Sequence, residues 1–267
     1  MSSRWSLPAR IVRGIVVAFA FLVILAPIVV VIVAAFSPTD FFKFPPPSFS
    51  LRWFYEFFRL DNMRSAFLFS IQLALGAATF GAMLGTLAAV FVAKRRGIVN
   101  GLLQALFMAP LVFPTIILGF ALLLFYKSVN MPLTPGLLIA HAVIGMPYCF
   151  RTVLASLQSL DPAIEEAGQS LGAGPLRTLA LVTMPLIWPA VLTGWLFAFV
   201  VSFGELNTAL FLTGPGATTL PIEIFSYLQF QGSQLVIAAA STLQVGLIIL
   251  IVFSVQQVVG LRRIVSR

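Results

Sequence analysis

The stretch LDPAIEEAGQSLGAGPLRTLALVTMPLIWPAVLTG, Leu160 to Gly194, is a polar, helix-capable segment set between very apolar runs, and it holds three of the chain's eight acidic residues. Asp161 followed by Pro162 reads as a helix start. The Asp carboxylate accepts from unpaired backbone N–H groups of a first turn, and proline fits the first helical position. Glu165 and Glu166 fall near the positive end of that helix's dipole. Gly172, after Leu171, supplies the left-handed residue that ends the helix, and Gly174-Pro175 starts another. The second helix carries Leu176, Leu179, Leu181 and Val182, and Pro185 marks its hand-over to the next apolar run. The sequence thus predicts two short helices with a bend between them, lying in water and charged in a way that suits holding something.

Outward from this segment the chain is strongly apolar. Of its 267 residues 60% are hydrophobic and 9% charged, and the mean hydropathy is +1.05, a composition that cannot keep a soluble surface. The expected fold is all-α and polytopic, because a helix needs about 20 apolar residues to cross a bilayer. About six runs meet that length: Gly14 to Phe36, Ala66 to Ala93, Leu102 to Tyr126, Pro135 to Leu157, Met184 to Phe203 and Leu235 to Val259. They make one transmembrane domain over residues 1–267, with the polar loop at approximately 160–184. The amino-terminal run is longer than the ~7–15-residue core of a cleavable signal and is read as a retained first helix.

The Lys and Arg distribution orients these spans. Arg4, Arg10 and Arg13, then Lys94, Arg95 and Arg96, then Arg262, Arg263 and Arg267 fall on one side, whereas Lys43, Arg52, Arg59, Arg64 and Lys127 on the other are diluted by Asp40, Glu56 and Asp61. Both termini and the Asp161 loop are therefore expected in the cytoplasm. The net charge of +8 is accounted for by cations flanking spans and meeting anionic lipid headgroups; no nucleic-acid-binding fold accompanies it.

Other features divide between packing and function. Cys149 is the single cysteine, so it forms no internal disulfide, and nothing around it resembles a metal site. His141 lies alone within a predicted span, where a histidine facing the bundle is the simpler reading than a proton relay. Ala77, Gly81, Gly85, Ala89 and Ala93 recur every four residues, a smooth stripe for close approach of another helix within this chain or from a partner. Pro110, Pro114 and Pro147 allow kinks that can line a cavity. Between Ser37 and Arg64, a Pro45-Pro46-Pro47 run precedes Phe49, Trp53, Phe54, Tyr55, Phe57 and Phe58 interleaved with charges. This suits a short helix at the outer interface, as an anchor in headgroups or as part of a platform for a solute-binding protein.

Candidate pathway residues cluster after the fifth span. Glu205 follows Val200-Val201-Ser202-Phe203-Gly204, and with Asn207 and Thr208 it offers a carboxylate and hydrogen bonds to a passing cation; Tyr148 in the fourth span is a further candidate. An ionisable group at membrane depth usually faces a cavity or partner. The alternative, that Glu205 ends its span in water, stands beside this reading.

The polar loop resembles that of permease subunits of ATP-binding-cassette importers, whose pattern is EAA, three residues, Gly, nine residues, then I-x-L-P. Here it reads Glu166-Ala167-Gly168, then Gly172, then Val182-Thr183-Met184-Pro185, with every spacing kept. Gly168, Val182 and Met184 are small or conservative departures. The resemblance implies the type I importer permease fold and a coupling helix seated in a groove of an ATPase, with Asp161, Glu165, Glu166, Ala167, Gly168, Leu171, Gly172, Ala173 and Pro185 as coupling residues. Phe199-Val200-Val201-Ser202-Phe203, Phe211-Leu212-Thr213-Gly214-Pro215 and Thr219-Leu220-Pro221-Ile222 are similar to the spermidine/putrescine-type branch. In that branch an acidic residue commonly follows the Ser-Phe pair; here Gly204 intervenes before Glu205.

The resemblance further implies a bacterial inner-membrane location and four kinds of partner: a second homologous permease, two ATPases, an extracytoplasmic solute-binding protein and membrane lipid. None of Lys43, Lys94 or Lys127 follows glycine, so the Gly-Lys-Ser/Thr phosphate cradle is missing. ATP and Mg would be bound by the partner ATPase, with no cofactor or chemistry in this chain. The rival reading, a stand-alone secondary transporter or channel, needs an intramembrane ionic constellation, for which only His141, Arg151 and Glu205 offer themselves.

Overall fold

Every backbone N–H and C=O inside a bilayer has to be paired within the protein, and an α-helix pairs them within one segment. The computed structural model, which describes residues 7–214, 216–230 and 233–265 and their side chains from 10 to 260, is accordingly helical. Its helices are α1 (Leu7–Ala35), α2 (Arg52–Arg59), α3 (Asp61–Ala93), α4 (Gly97–Val112), α5 (Thr115–Ser128), α6 (Leu133–Ser159), α7 (Pro162–Ser170), α8 (Pro175–Thr178), α9 (Met184–Gly204), α10 (Ala209–Leu212), α11 (Leu220–Phe230) and α12 (Gln234–Val265), with a π-helical turn, Leu179–Thr183, joining α8 to α9. Arg4, Pro215 and Arg267, and the side chains of Arg262 and Arg263, lie outside the described residues. Among the described residues five helical stretches are long and apolar enough to cross a membrane, and the bent pair α4 and α5 makes up to six.

The bent pair corrects one expectation. The sequence predicts a single span from Leu102 to Tyr126, but α4 and α5 meet at 98°. Pro114 is the cause: a residue before proline is pushed out of the helical region, and Phe113 sits at φ −77°, ψ 136°. Pro110, Pro27, Pro147 and Pro189 stay inside their helices. The fifth span also begins earlier than its predicted start at Met184, because α8, the π turn and α9 run on as one apolar stretch, Pro175–Gly204. Proline at 185 brings no N–H to the carbonyl four residues back, and the chain passes that point with a wider turn in which Met184 N–H bonds Leu179 O.

The residues fall into two compact units, one formed by the chain up to Arg64 with Ile224–Leu247, the other by Ser65–Glu223 with the residues from Ile248 onward. In the first, α1 is exposed along most of its apolar length, as a lipid-facing helix is, until Ala34 and Ala35 become buried. The following loop folds onto α2 through Ser50 N–H to Phe36 O (2.7 Å), Phe36 against Phe54 (5.0 Å between ring centres) and an Arg52–Asp40 ion pair (2.7 Å). Helix α2 buries Trp53 and Phe57 and exposes Tyr55 and Phe58, the two-faced pattern expected of an interfacial helix.

The second unit is built on α6. Its side toward α3 meets the small-residue stripe: a Cβ on Gly81 would lie 3.1 Å from Ala142 O, and one on Gly85 would lie 2.7 Å from Met146 O and 2.8 Å from Phe150 N. The stripe is thus used within this chain. Toward α9, a Cβ on Gly145 would stand 3.0 Å from the Ala198 Cβ, and one on Gly194 would overlap the Cys149 Cα. Cys149 and Pro147 are buried between these neighbours, as the packing reading of the cysteine expects.

Gly85→Val should therefore force α3 and α6 apart and lower stability by about 1–3 kcal/mol, the usual cost of overpacking. Gly14→Val is the matched control, since nothing lies within 4 Å of its added Cβ. Thermal unfolding in detergent, followed by tryptophan fluorescence, should separate the two.

Candidate functional site

The loop between α6 and α9 forms from local signals. Asp161 caps α7, its Oδ1 accepting from Ala163 N–H (3.0 Å) with Pro162 at the first helical position. The helix closes with Gly172 N–H to Gln169 O (2.9 Å) and Ala173 N–H to Gly168 O (3.2 Å). Gly172 takes φ +85°, a conformation in which a Cβ would be strained. Gly168 faces the next turn, where a Cβ would lie 3.4 Å from Val182 Cγ2 and 3.5 Å from Thr178 Cγ2. That is ordinary contact, so the site has room for the alanine that the resembling pattern carries there.

The two adjacent glutamates part company. Glu166 is exposed, whereas Glu165 is half-buried and its Oε1 accepts from Thr183 Oγ1–H at 2.6 Å. Thr183 is itself 1% exposed. Lys94, Asp161, Glu165 and Thr183 line a cleft of about 190 Å³ beneath α7. On the outward side Ala167 and Pro185 are exposed, and Leu171 and Leu176 are 91% and 81% exposed. These two leucines are among the most exposed apolar side chains of the described residues.

At the other end of α9 the candidate pathway residues form a corner. Glu205 leaves the helix at φ −73°, ψ 118°, and its Oε1 accepts from Thr208 N–H at 2.9 Å. Asn207 Nδ2 donates to Thr115 Oγ1 and Thr208 Oγ1 donates to Thr115 O, both at 3.1 Å. A Cβ on Gly119 would lie 2.8 Å from Thr208 Cα, so this corner grips the start of α5 just after the break. Glu205, Asn207 and Thr208 are therefore brought together. Tyr148 is not among them: it stacks on Phe197 at 6.4 Å, eight residues before Glu205, or about 12 Å along a helix.

Sequence reasoning missed Thr115, Gly119 and Thr183. The position of Thr183 between two pattern residues, and that of Thr115 directly after Pro114, were the signals available. His141 is buried and shares a 2.8 Å hydrogen bond through Nδ1 with Ser202 Oγ, joining α6 to α9; its Nε2 has no partner among the described residues. On α11, burial pushes the Glu223 carboxyl above its usual range, and burial followed by the Glu56 charge pushes the Tyr227 phenol up. Among the described residues there is no group of three His, Cys, Asp or Glu side chains placed to hold a metal ion.

Residues 81–265 match the family described as Binding-protein-dependent transport system inner membrane component. This chain belongs to that family. The Putrescine transport system permease protein PotI of Escherichia coli (strain K12) is 38% identical over 223 residues, covering 80% of this chain and 79% of that protein. The Spermidine/putrescine transport system permease protein PotC of the same strain is 28% identical over 250 residues, covering 92% and 93%. Among solved structures, a bacterial ABC transporter involved in the import of the acidic polysaccharide alginate superposes with a TM-score of 0.72 at 17% identity, over 95% of this chain and 96% of that one. A bacterial alginate ABC transporter in complex with alginate pentasaccharide-bound periplasmic protein gives 0.72 at 16%, over 93% and 92%. At such identities these structures establish the fold, which is that of a type I importer permease. The chain is a permease subunit of an ABC importer and an inner-membrane component.

Gly168→Ala should be accepted and should stabilise α7 by up to about 1 kcal/mol, the helix-interior difference between the two residues. Amide exchange over residues 163–170 should slow by up to about fivefold on that figure; faster exchange would mean that the Cβ is not accommodated.

Proposed function

We propose that this permease forms half of the solute path of a polyamine importer and that its Asp161–Pro185 loop is the coupling element for a separate ATPase. The observation that carries the coupling reading is the docking face: Glu166, Leu171 and Leu176 stand exposed on helices capped by Asp161 and closed by Gly172. Burying two such leucines in a partner's groove removes apolar surface that water otherwise holds. On a six-span count this loop shares a side with Arg10, Arg13 and Lys94 to Arg96, which the positive-inside rule puts in the cytoplasm, together with both termini. Residues 1–267 then act as a single permease domain. ATP and Mg bind to the partner, and this chain supplies gear and pathway with no bond-making step.

The polyamine reading rests on the names of the putrescine and spermidine/putrescine relatives, and on Glu205. Its carboxylate is already held at Thr208 N–H, so a passing ammonium group meets an anchored charge, with Asn207 alongside and Tyr148 further along the path. A periplasmic binding protein, of the kind named with the alginate transporter, delivers the solute, and a second homologous permease completes the path.

Two measurements test this. Pull-down of the tagged chain in mild detergent should recover an ATPase. Leu171→Asp or Glu166→Lys should reduce that recovery about tenfold or more, the scale of an interface hot spot, while leaving membrane insertion intact; undiminished recovery with full transport would sink the coupling assignment. ATP hydrolysis by the recovered complex should rise when putrescine or spermidine is added with the binding protein, and Glu205→Gln should weaken that response. Stimulation by some other solute class alone would keep the permease and overturn the polyamine.

A further inference from the structure

Exposed Glu166 and inward-turned Glu165 are neighbours in sequence with different jobs in space. Glu165 reaches back across the loop to a threonine that is buried and is the last residue of the π turn. Such turns, inserted in α-helices, recur at functional sites because one extra residue per turn leaves the local register adjustable. From that turn onward α9 is locked to α6 at three levels. Thr152 Oγ1 donates to Ala190 O at 3.0 Å, Gly145 closes on Ala198, and His141 bonds Ser202. Its far end carries the Glu205 to Thr208 corner that holds Thr115.

We propose that the Glu165–Thr183 hydrogen bond is the link through which movement of α7 is passed to α9, and so to the corner that grips the broken span. This rests on the reading of the loop as the ATPase contact, and assigns to Glu165 a positioning role separate from docking. A carboxylate accepting from a hydroxyl at 2.6 Å is a short, charge-assisted bond, stronger than a neutral one. Gly168 also faces the turn, where an added Cβ would lie 3.4 Å from Val182 Cγ2, but it has no side chain to push with. The bond is thus a direct side-chain tie from α7 to the turn, beside the chain's own run from α8 through the turn into α9, and the cleft beneath α7, about 190 Å³, gives α7 room to move if the bond is lost. Coupling is demonstrated by a two-state response at the far end, and the test reads movement there.

Cys149 is buried, which makes an introduced cysteine selectively reactive. Gly204 is exposed and nothing lies within 4 Å of an added Cβ, so Gly204→Cys reports on the end of α9. In the complex recovered with its ATPase, the rate of N-ethylmaleimide labelling at this position should differ between the nucleotide-free and the ATP-vanadate-trapped states. Thr183→Val and Glu165→Gln should shrink that difference about tenfold, the factor belonging to one charge-assisted hydrogen bond, with ATPase recovery unchanged, and Thr183→Ser should restore it. A full nucleotide response in both variants overturns the proposal, as does no response in the Gly204→Cys parent, or loss of the ATPase with Glu165→Gln. If Thr183→Val fails to assemble, Glu165→Gln decides, because it alters a half-exposed loop residue. Failure of the coupling reading would show elsewhere, as undiminished ATPase recovery in Glu166→Lys.

Discussion

The close approach of α6 to both α3 and α9 is the constraint on which the rest of the second unit depends. In a bilayer, helices are not driven together by escape from water, since lipid tails are as apolar as leucine. What holds them is contact between atoms, and contact at the spacing seen here is possible only because Gly81, Gly85, Gly145 and Gly194 bring backbone to backbone. Dispersion falls steeply with a small gap, so a single methyl group in these places removes many contacts at once. The polar bonds between α6 and α9, at Thr152 and at His141, are then satisfied inside a seam that already excludes lipid.

That seam fixes the loop. The chain leaves α6 at Ser159 and returns as α9, and because the two are clamped along their length the intervening residues span a short, set distance. Asp161 and Gly172 do the local work of starting and stopping α7, but the clamp decides where α7 can lie. Its inward face meets the π turn, which leaves Leu171 and Leu176 no apolar surface of their own chain to cover them. On the proposed reading of the loop as the ATPase contact, these leucines are displayed by a rigid frame, which is what a coupling element requires if a push on it is to be felt elsewhere.

Much of this was legible in the sequence, for identifiable reasons. Capping chemistry is local, so Asp161-Pro162 and Gly172 could be read directly, and the small-residue stripe on α3 has a period that only a helix surface gives. Span length follows from bilayer thickness, so most ends of the long apolar runs were placed to within a few residues, although the stretch ending at Gly204 begins at Pro175, nine residues before Met184. The 98° break at Phe113-Pro114 was hidden because a proline in a membrane helix has two outcomes. Pro110 and Pro147 remain within helices while Pro114 ends one. Just past the break the chain is held by the corner from residue 205 to 208, some 90 residues away in sequence, whose Thr208 hydroxyl bonds Thr115 O. No local pattern carries that information.

The different fates of Glu165 and Glu166 show the same limit at closer range. Both lie in the first half of a short helix, both are carboxylates, and a dipole argument treats them alike. One residue of helix rotates a side chain by about 100°, which is enough to send Glu166 to solvent and Glu165 to Thr183 across 18 residues of loop. The pattern that resembles this segment centres on Glu166, the outward residue, as a pattern shaped by a partner's groove would. The inward residue answers to the geometry of its own chain, where the π turn created at Pro185 sets the position of Thr183. In the proposed coupling, recognition and transmission then sit on adjacent residues of one short helix without sharing a side chain, so that each is open to alteration without the other.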